Sequence, residues 1–243
     1  MNFNILSDLH LELLGYIPVI KKTANNLILA GDIGDPSEDI YINFIEKCSK
    51  LYEKVFLIKG NHECYDKTVK ETDEMINDIC KKYNNIYYLN NSHIDIGDIR
   101  IIGCTLWSEI SDENKSEISC YISDFNKIKK WCVELNNYQH YKDICFIDKH
   151  TKECIENKLK LIVITHHSPV LNSILDNYKG SDLNEAFQSD LSEMIKKPIK
   201  LWIYGHTHYS KYHVINDIPV VSNQFGYEEE DSEYHDKFIF ILS

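Results

Sequence analysis

Arginine is almost missing from this chain. Of 26 basic side chains in 243 residues, Arg100 is the one guanidinium and the others are lysines. A planar, bidentate grip on phosphate or carboxylate is therefore available from a single position. The basic groups are outnumbered by 38 acids, for a formal net charge of -12. That balance argues against the broad positive footprint that duplex nucleic acid demands. A small or singly charged partner is expected instead.

Long apolar runs are missing as well. Nowhere do 18 consecutive apolar residues occur, and Met1 leads directly into a strand-like segment rather than a basic and then apolar leader. No membrane partner is expected, and the expected location is cytoplasmic. None of the eight cysteines, at 48, 64, 80, 104, 120, 132, 145 and 154, forms a C-x-x-C pair. They read as reduced packing residues. With five prolines and nine glycines there is no linker-like stretch, repeat or low-complexity tract, so one compact domain over residues 1–243 is expected. A chain of this size buries roughly 70–75% of its unfolded surface and needs no structural metal or disulfide.

What the sequence does contain is short Ile-, Val- and Leu-rich runs at 2–7, 26–31, 54–59, 99–107, 160–165, 200–204, 218–222 and 237–242. Nearly continuous apolar runs of this length suit strands buried on both faces. Helical patterns lie between them. Asp35-Pro36-Ser37-Glu38 reads as a cap followed by a helix with Ile40, Phe44, Ile45 and Cys48 on one face. Thr68-Val69-Lys70-Glu71 reads as a capping box. Leu183, Ala186, Phe187, Leu191, Met194 and Ile195 suggest a third amphipathic helix, ended by Pro198. Strands alternating with helices indicate an α/β class. Residues 108–158 interrupt that alternation and read as a helical insertion over one end of the sheet, with helices expected near 121–136 and 150–159.

Polar residues gather at the predicted strand ends: Asp8 and His10, Asp32, Asn61 and His62, His166 and His167, and His206 and His208. Open α/β sheets bind ligands at such ends. In an extended segment residues i and i+2 share a side, so Asp8 with His10, and His206 with His208, can each act as a two-ligand claw. Glycines before Asp32, Asn61 and His206 permit close backbone approach. Each fragment is common alone. Together, two acids, an amide and several imidazoles after buried strands would be costly without paired charge or a metal.

In the order DLH (8–10), GD (31–32), GNHE (60–63), THHSP (165–169) and GHTH (205–208), the sequence resembles the calcineurin-like metallophosphoesterase superfamily. The flanking SDLHLE, GCTLW and SDFNKI segments are similar to a single-domain bacterial-type branch. The resemblance implies a central β-sandwich flanked by helices (αββα). It implies two divalent transition-metal ions, Mn2+ foremost with Fe or Zn2+ as alternatives, since mixed imidazole, carboxylate and amide donors suit these ions. Asp8, His10, Asp32 and His208 would hold one ion, with Asp32 bridging to a second held by Asn61, His166 and His206. His62 would be a catalytic imidazole rather than a ligand, Asp35 the carboxylate that orients it, and His167 a substrate contact. The implied reaction is metal-dependent phosphoester hydrolysis by a two-metal-activated hydroxide, with no protein nucleophile.

The resemblance has one departure. Where the branch shows an N-P-R-G-Y-like segment, this chain has Asn223-Gln224-Phe225-Gly226-Tyr227, so Phe225 is expected to offer an apolar surface in place of arginine. The acidic run Glu228–Asp231 reads as a solvated loop. Histidines 93, 140, 150, 213 and 235 lie outside every motif. A phosphodiesterase acting on a small phosphodiester or nucleotide-type substrate is the expected activity, and the missing arginines favour diesters over monoesters. The alternatives are a nuclease for single strands, which lacks an evident basic groove, and a non-enzymatic interaction module, which the complete ligand set disfavours.

Overall fold

The computed structural model describes residues 1–242. Its elements follow the chain as β1 (Asn2–Leu6), α1 (Leu11–Leu14), β2 (Asn26–Ala30), α2 (Asp39–Leu51), β3 (Lys54–Ile58), α3 (Val69–Cys80), β4 (Ile86–Tyr88), β5 (Ser92–Ile96) and β6 (Ile99–Cys104). After these come α4 (Lys115–Tyr121), α5 (Asp124–Lys127), α6 (Val133–Asn157), β7 (Lys160–Thr165), β8 (Ile199–Ile203), β9 (Tyr212–Ile215), β10 (Ile218–Val221) and β11 (Phe240–Ile241). Two sheets result, in the orders β11-β1-β2-β3-β4 and β5-β6-β7-β8-β10-β9. Each is parallel at its centre, with antiparallel β11, β5 and β9 at edges.

The continuous apolar runs are explained by what each strand face meets. Phe3 and Ile5 of β1, Ile28 of β2, and Phe56 and Ile58 of β3 turn inward against Ile101 of β6, Ile162 and Ile164 of β7, and Leu201 and Ile203 of β8. The alternate residues of the first sheet, Leu27, Leu29, Val55 and Leu57, pack outward on Phe44, Ile45 and Cys48 of α2 and Ile76 and Ile79 of α3. Leu161, Val163 and Trp202 do the same on the second sheet against Ile147 and Cys154 of α6. Both faces of the central strands of both sheets are thus dry, and the fold is an α/β sandwich flanked by helices.

Several local expectations are corrected. Asp35 does not cap α2: its Oδ1 accepts from the Ser37 N–H and hydroxyl, and the helix starts a turn later, after Glu38. An aspartate that satisfies itself two residues on makes a turn, not a cap. The Thr68 capping box forms as expected. Residues 183–195 are not one helix but short 3-10 turns at Asp182–Ala186 and Ser192–Met194. Between them Asp190 accepts from Ser192, and the Ser189 and Leu191 amides donate to Ser168 and Pro169 carbonyls, which removes them from a helical ladder.

In the insertion, no helix spans 121–136. The chain breaks after Tyr121 and again near Lys130, which has a φ of 59°, while residues 127 and 129 pair with the 66–67 backbone. The segment expected at 150–159 is the end of the 25-residue α6. Only part of the insertion covers a sheet end; α6 lies along the face of the second sheet. The strands β4, β5 and β9 are too short or too polar to show an apolar run.

Because Ile162 lies in the layer between the sheets with no exposure, Ile162→Ala should cost about 2–5 kcal/mol. Lys200→Ala, on an exposed position of β8, should stay within about 0.5 kcal/mol of the parent. Urea denaturation of the two variants checks this, and equal midpoints would contradict the inter-sheet core.

Candidate metal centre

The parallel centres of both sheets send their C-terminal ends to one edge, and the chain bends there in an unusual way. Five of the seven expected ligands adopt left-handed backbone: Asp8 (φ 57°), His10 (47°), Asp32 (51°), His206 (72°) and His208 (48°). The shared side of Asp8 and His10, and of His206 and His208, therefore comes from tight turns, not from extended strand as the spacing suggested. For non-glycine residues this conformation costs about 1–2 kcal/mol each, and such residues gather at functional sites.

Cross-links hold the turns in place. The Asp8 amide donates to the Gly31 carbonyl, His10 to Asp32, and Gly205 to His166. A Cβ at Gly60 would fall on Asp32 Oδ1 and His166 Nε2, and one at Gly205 on Asp8 Oδ2. Glu63 clamps the second and third loops by accepting from the amides of Asp32 (3.1 Å), Ile33 (2.8 Å) and Gly60 (2.7 Å). Burial and the neighbouring Asp32 charge push its pKa up to about 8.

The donor atoms so gathered cannot satisfy one another. His166 Nδ1 donates to the Ala30 carbonyl at 2.9 Å, which leaves the Nε2 lone pair facing Asn61 Oδ1 at 3.0 Å and Asp32 Oδ2 at 3.3 Å. Asn61 spends its N–H groups on Asp124 and Tyr65, so only its oxygen can face inward. His208 donates from Nδ1 to Glu230 at 2.6 Å, leaving Nε2 against His10 Nε2 at 2.9 Å and Asp8 Oδ1 at 3.7 Å. His206 directs Nε2 toward the Ala186 carbonyl, which leaves Nδ1 for the cluster. Asp8 Oδ2 is buried without any partner.

Acceptors that face acceptors in a dry site need a cation between them. Asp8, His10 and His208 form one grouping of converging ligand atoms and Asp32, His166 and His206 another, with a third, His10, Asp32 and His62, overlapping both. Asp32 Oδ2 lies between the first two groupings, 3.9 Å from His10 and 3.3 Å from His166. The residues fit a pair of metal ions. Absent a metal, a proton is the only substitute: burial lowers the His166 imidazole, yet the Asp32 charge and hydrogen bond outweigh it and raise its pKa to about 10.

His62 stands beside this cluster and lines the adjoining cleft. Its Nδ1 donates to Glu12 Oε1 at 2.9 Å, and its Nε2 faces the Tyr227 hydroxyl at 3.5 Å. Burial works against the charged imidazole, but Asp32 and Glu12 raise its pKa above the usual histidine value. Burial likewise works to raise Glu12, but hydrogen bonds and charge from His10 and His62 hold it down to about 2.

Three sequence expectations meet a different arrangement. Asp35 does not reach His62; its carboxylate is taken by Lys67 (2.8 Å) and Ser37, and Glu12 occupies the orienting position. His167 does not face the cleft. It is enclosed between Trp107 and His206, stacked on the latter with centroids 4.0 Å apart, and bonded through Nδ1 to Ser108. Phe225 packs on Tyr234 away from the cleft, and the aromatic of that segment that borders the cluster is Tyr227, against both His10 and His208.

The sequence reading missed Glu12, Asp124 and Glu230. Glu230 is not a solvated loop residue, because it fixes the His208 tautomer. Asp124, buried in α5, accepts from Asn61 and from the Tyr65 hydroxyl and so aims the Asn61 oxygen. Carboxylates behind metal ligands are a common feature of such sites. The SDLHLE and SDFNKI segments contain Glu12 and Asp124, and that was the only available signal; nothing distinguishes Glu230 within its acidic run.

A model of the calcineurin-like phosphoesterase family matches residues 1–210. The chain belongs to that family. It is 34% identical, over 95% of this chain and 92% of the relative, to an uncharacterized protein of Acanthamoeba polyphaga mimivirus. Among solved structures the phosphopantetheinyl hydrolase of Mycobacterium tuberculosis superposes with a TM-score of 0.70 at 12% identity, covering 95% of this chain and 93% of that one. A dimetal phosphatase from Danio rerio gives 0.54 at 11% identity, covering 92% and 87%. At these identities the two structures establish the shared fold. The phosphoesterase is thus a dinuclear-type metalloenzyme with buried His and Asp clusters, and among its described residues no helix is long and apolar enough to cross a membrane.

If Glu12 rather than Asp35 orients His62, Glu12→Gln should lower kcat by about 10-fold or more for esters with poor leaving groups, and less for nitrophenyl esters. Asp35→Asn should leave that dependence unchanged. A leaving-group series on both variants checks the assignment, and a larger effect from Asp35→Asn would reverse it.

Proposed function

We propose that this phosphoesterase is a phosphodiesterase, hydrolysing small diesters with two divalent transition-metal ions, Mn2+ foremost and Fe or Zn2+ as alternatives. Asp8, His10, Asp32 and His208 would hold one ion, and Asp32, Asn61, His166 and His206 the other. When bound, such a pair supplies an activated water and neutralises phosphoryl charge.

The observation that carries the preference for diesters is the lining of the cleft beside the cluster. It contains Asp124 and Glu230 but, among the described residues, no lysine or arginine. The single arginine sits at the start of β6, at the opposite end from the ligand-bearing loops, where Asp95 and Glu153 occupy its guanidinium. Lys67, near the GNHE loop, is paired with Asp35, and Lys59 with Asp73. A monoester brings about -1.5 to -2 charges, and no lysine or arginine of the cleft lining meets the excess. A diester brings one, which the ions can match alone.

The chain's own residues supply the other requirements. His62, held through Nδ1 by Glu12, turns Nε2 toward the cleft, and in its imidazolium form, which Asp32 and Glu12 favour against burial, it can give the Nε2 proton to the departing oxygen. The Tyr227 hydroxyl, beside that nitrogen, offers a neutral hydrogen bond to the same region. A single-strand nuclease would need a basic track for the phosphate backbone, and the cleft lining offers none.

With one metal and one leaving group, bis-(p-nitrophenyl) phosphate should exceed p-nitrophenyl phosphate in kcat/KM. A tenfold win for the monoester, about 1.4 kcal/mol of transition-state preference, would overturn the argument from missing cations.

A further inference from the structure

The cleft, about 400 Å³ in all, extends from the ligand residues outward, and its volume falls in the lower part of the range for small-molecule pockets. Its outer wall comes from two segments without a metal ligand: the end of α4 and the 174–187 stretch. Ile118 of α4 and Ala186 share a small apolar cluster, with Ile122, Leu183 and Phe187 packed on it. That cluster fixes the wall opposite the metal residues.

The chemistry of the wall is specific. Tyr121 and Tyr178 stand at its rim, 71% and 58% exposed, while Phe187 lies deeper and stacks on His206 with centroids 5.0 Å apart. Asn184 and Ser181 add neutral polar edges. Aromatic faces hold any planar π system, and amides and hydroxyls suit the ring nitrogens and carbonyls of a heterocycle. The Asn184 amide N–H is held by the Tyr178 carbonyl and the Ser181 hydroxyl oxygen by the Leu183 amide, which leaves the Asn184 Oδ1 and the Ser181 O–H for a heterocycle and nothing that an alkyl or acyl chain would use. A chain of further phosphates would meet no lysine or arginine and the carboxylates of Asp124 and Glu230.

We propose that this wall binds an uncharged, planar heteroaromatic arm of the diester, a nucleoside without additional phosphates. The inference rests on the phosphodiesterase reading and adds what the non-reacting arm must be.

The test uses the metal-loaded protein and three p-nitrophenyl diesters that differ only in the second arm: methyl, hexyl and thymidine 5′-yl. The thymidine ester should exceed the methyl ester in kcat/KM by about tenfold or more, the hexyl ester should gain less, and a 3′-phosphate on the thymidine should abolish the gain. Titration calorimetry supplies a readout independent of turnover: thymidine should bind, and hexanol should not. In the Tyr121→Ala/Tyr178→Ala double variant the thymidine-to-methyl ratio should fall toward one and thymidine binding should weaken. Tyr138→Ala, on an exposed part of α6 outside the cleft, should keep both. Equal rates for the methyl and thymidine esters, a hexyl gain as large as the thymidine gain, or a ratio unchanged in the double variant would each overturn the proposal. If none of the three esters is hydrolysed with Mn2+, Fe2+ or Zn2+, the phosphodiesterase reading itself falls.

Discussion

Lone pairs that point at lone pairs organise this molecule. His10 and His208 face each other through Nε2 at 2.9 Å, and His166 faces the Asn61 oxygen at 3.0 Å. Once their outer hydrogen bonds are made, His208, His166 and Asn61 turn only lone pairs toward these neighbours. The arrangement is unfavourable in itself, and five left-handed residues add to the cost. It persists because the surrounding structure over-determines it: dry sheets beneath, amide cross-links between loops, and Glu63 holding three N–H groups at once.

The sheet architecture makes that over-determination possible. Parallel strands buried on both faces cannot shift register without exposing apolar side chains, so their ends are fixed relative to one another. Two sheets packed through Phe56, Ile162 and Leu201 bring loops from both sheets to a common edge. Glycines at 60 and 205 let these loops approach where any Cβ would collide with a ligand atom. The outer carboxylates complete the design. Glu12, Asp124 and Glu230 each consume the outward hydrogens of a His or Asn, and so decide which atom faces inward.

How much of this could be read from the sequence depended on whether the signal was local. The central strands were legible because they are continuous apolar runs, and the Thr68 box because capping is a four-residue event. The ligand residues were legible because each follows such a strand. Asp35 misled because its place in the sequence, three residues after Asp32, says nothing about its partner, and Lys67 lies closer than His62. His167 misled because adjacency in sequence sends neighbouring side chains in different directions, here behind His206. The residues 183–195 kept a helical periodicity that long-range backbone bonds overrode. Glu12, Asp124 and Glu230 act through contacts 22 to 63 positions apart along the chain, which no spacing rule captures.

The central claim is that the cluster is built for two cations with Asp32 between them. Calorimetric titration of Mn2+ into chelator-stripped protein tests it most directly. The account predicts a stoichiometry of two per chain for the parent, weakened binding at both sites in Asp32→Ala, and loss concentrated at one site in His10→Ala. A stoichiometry of one in the parent, or an Asp32→Ala variant that keeps one site at full affinity, would contradict it.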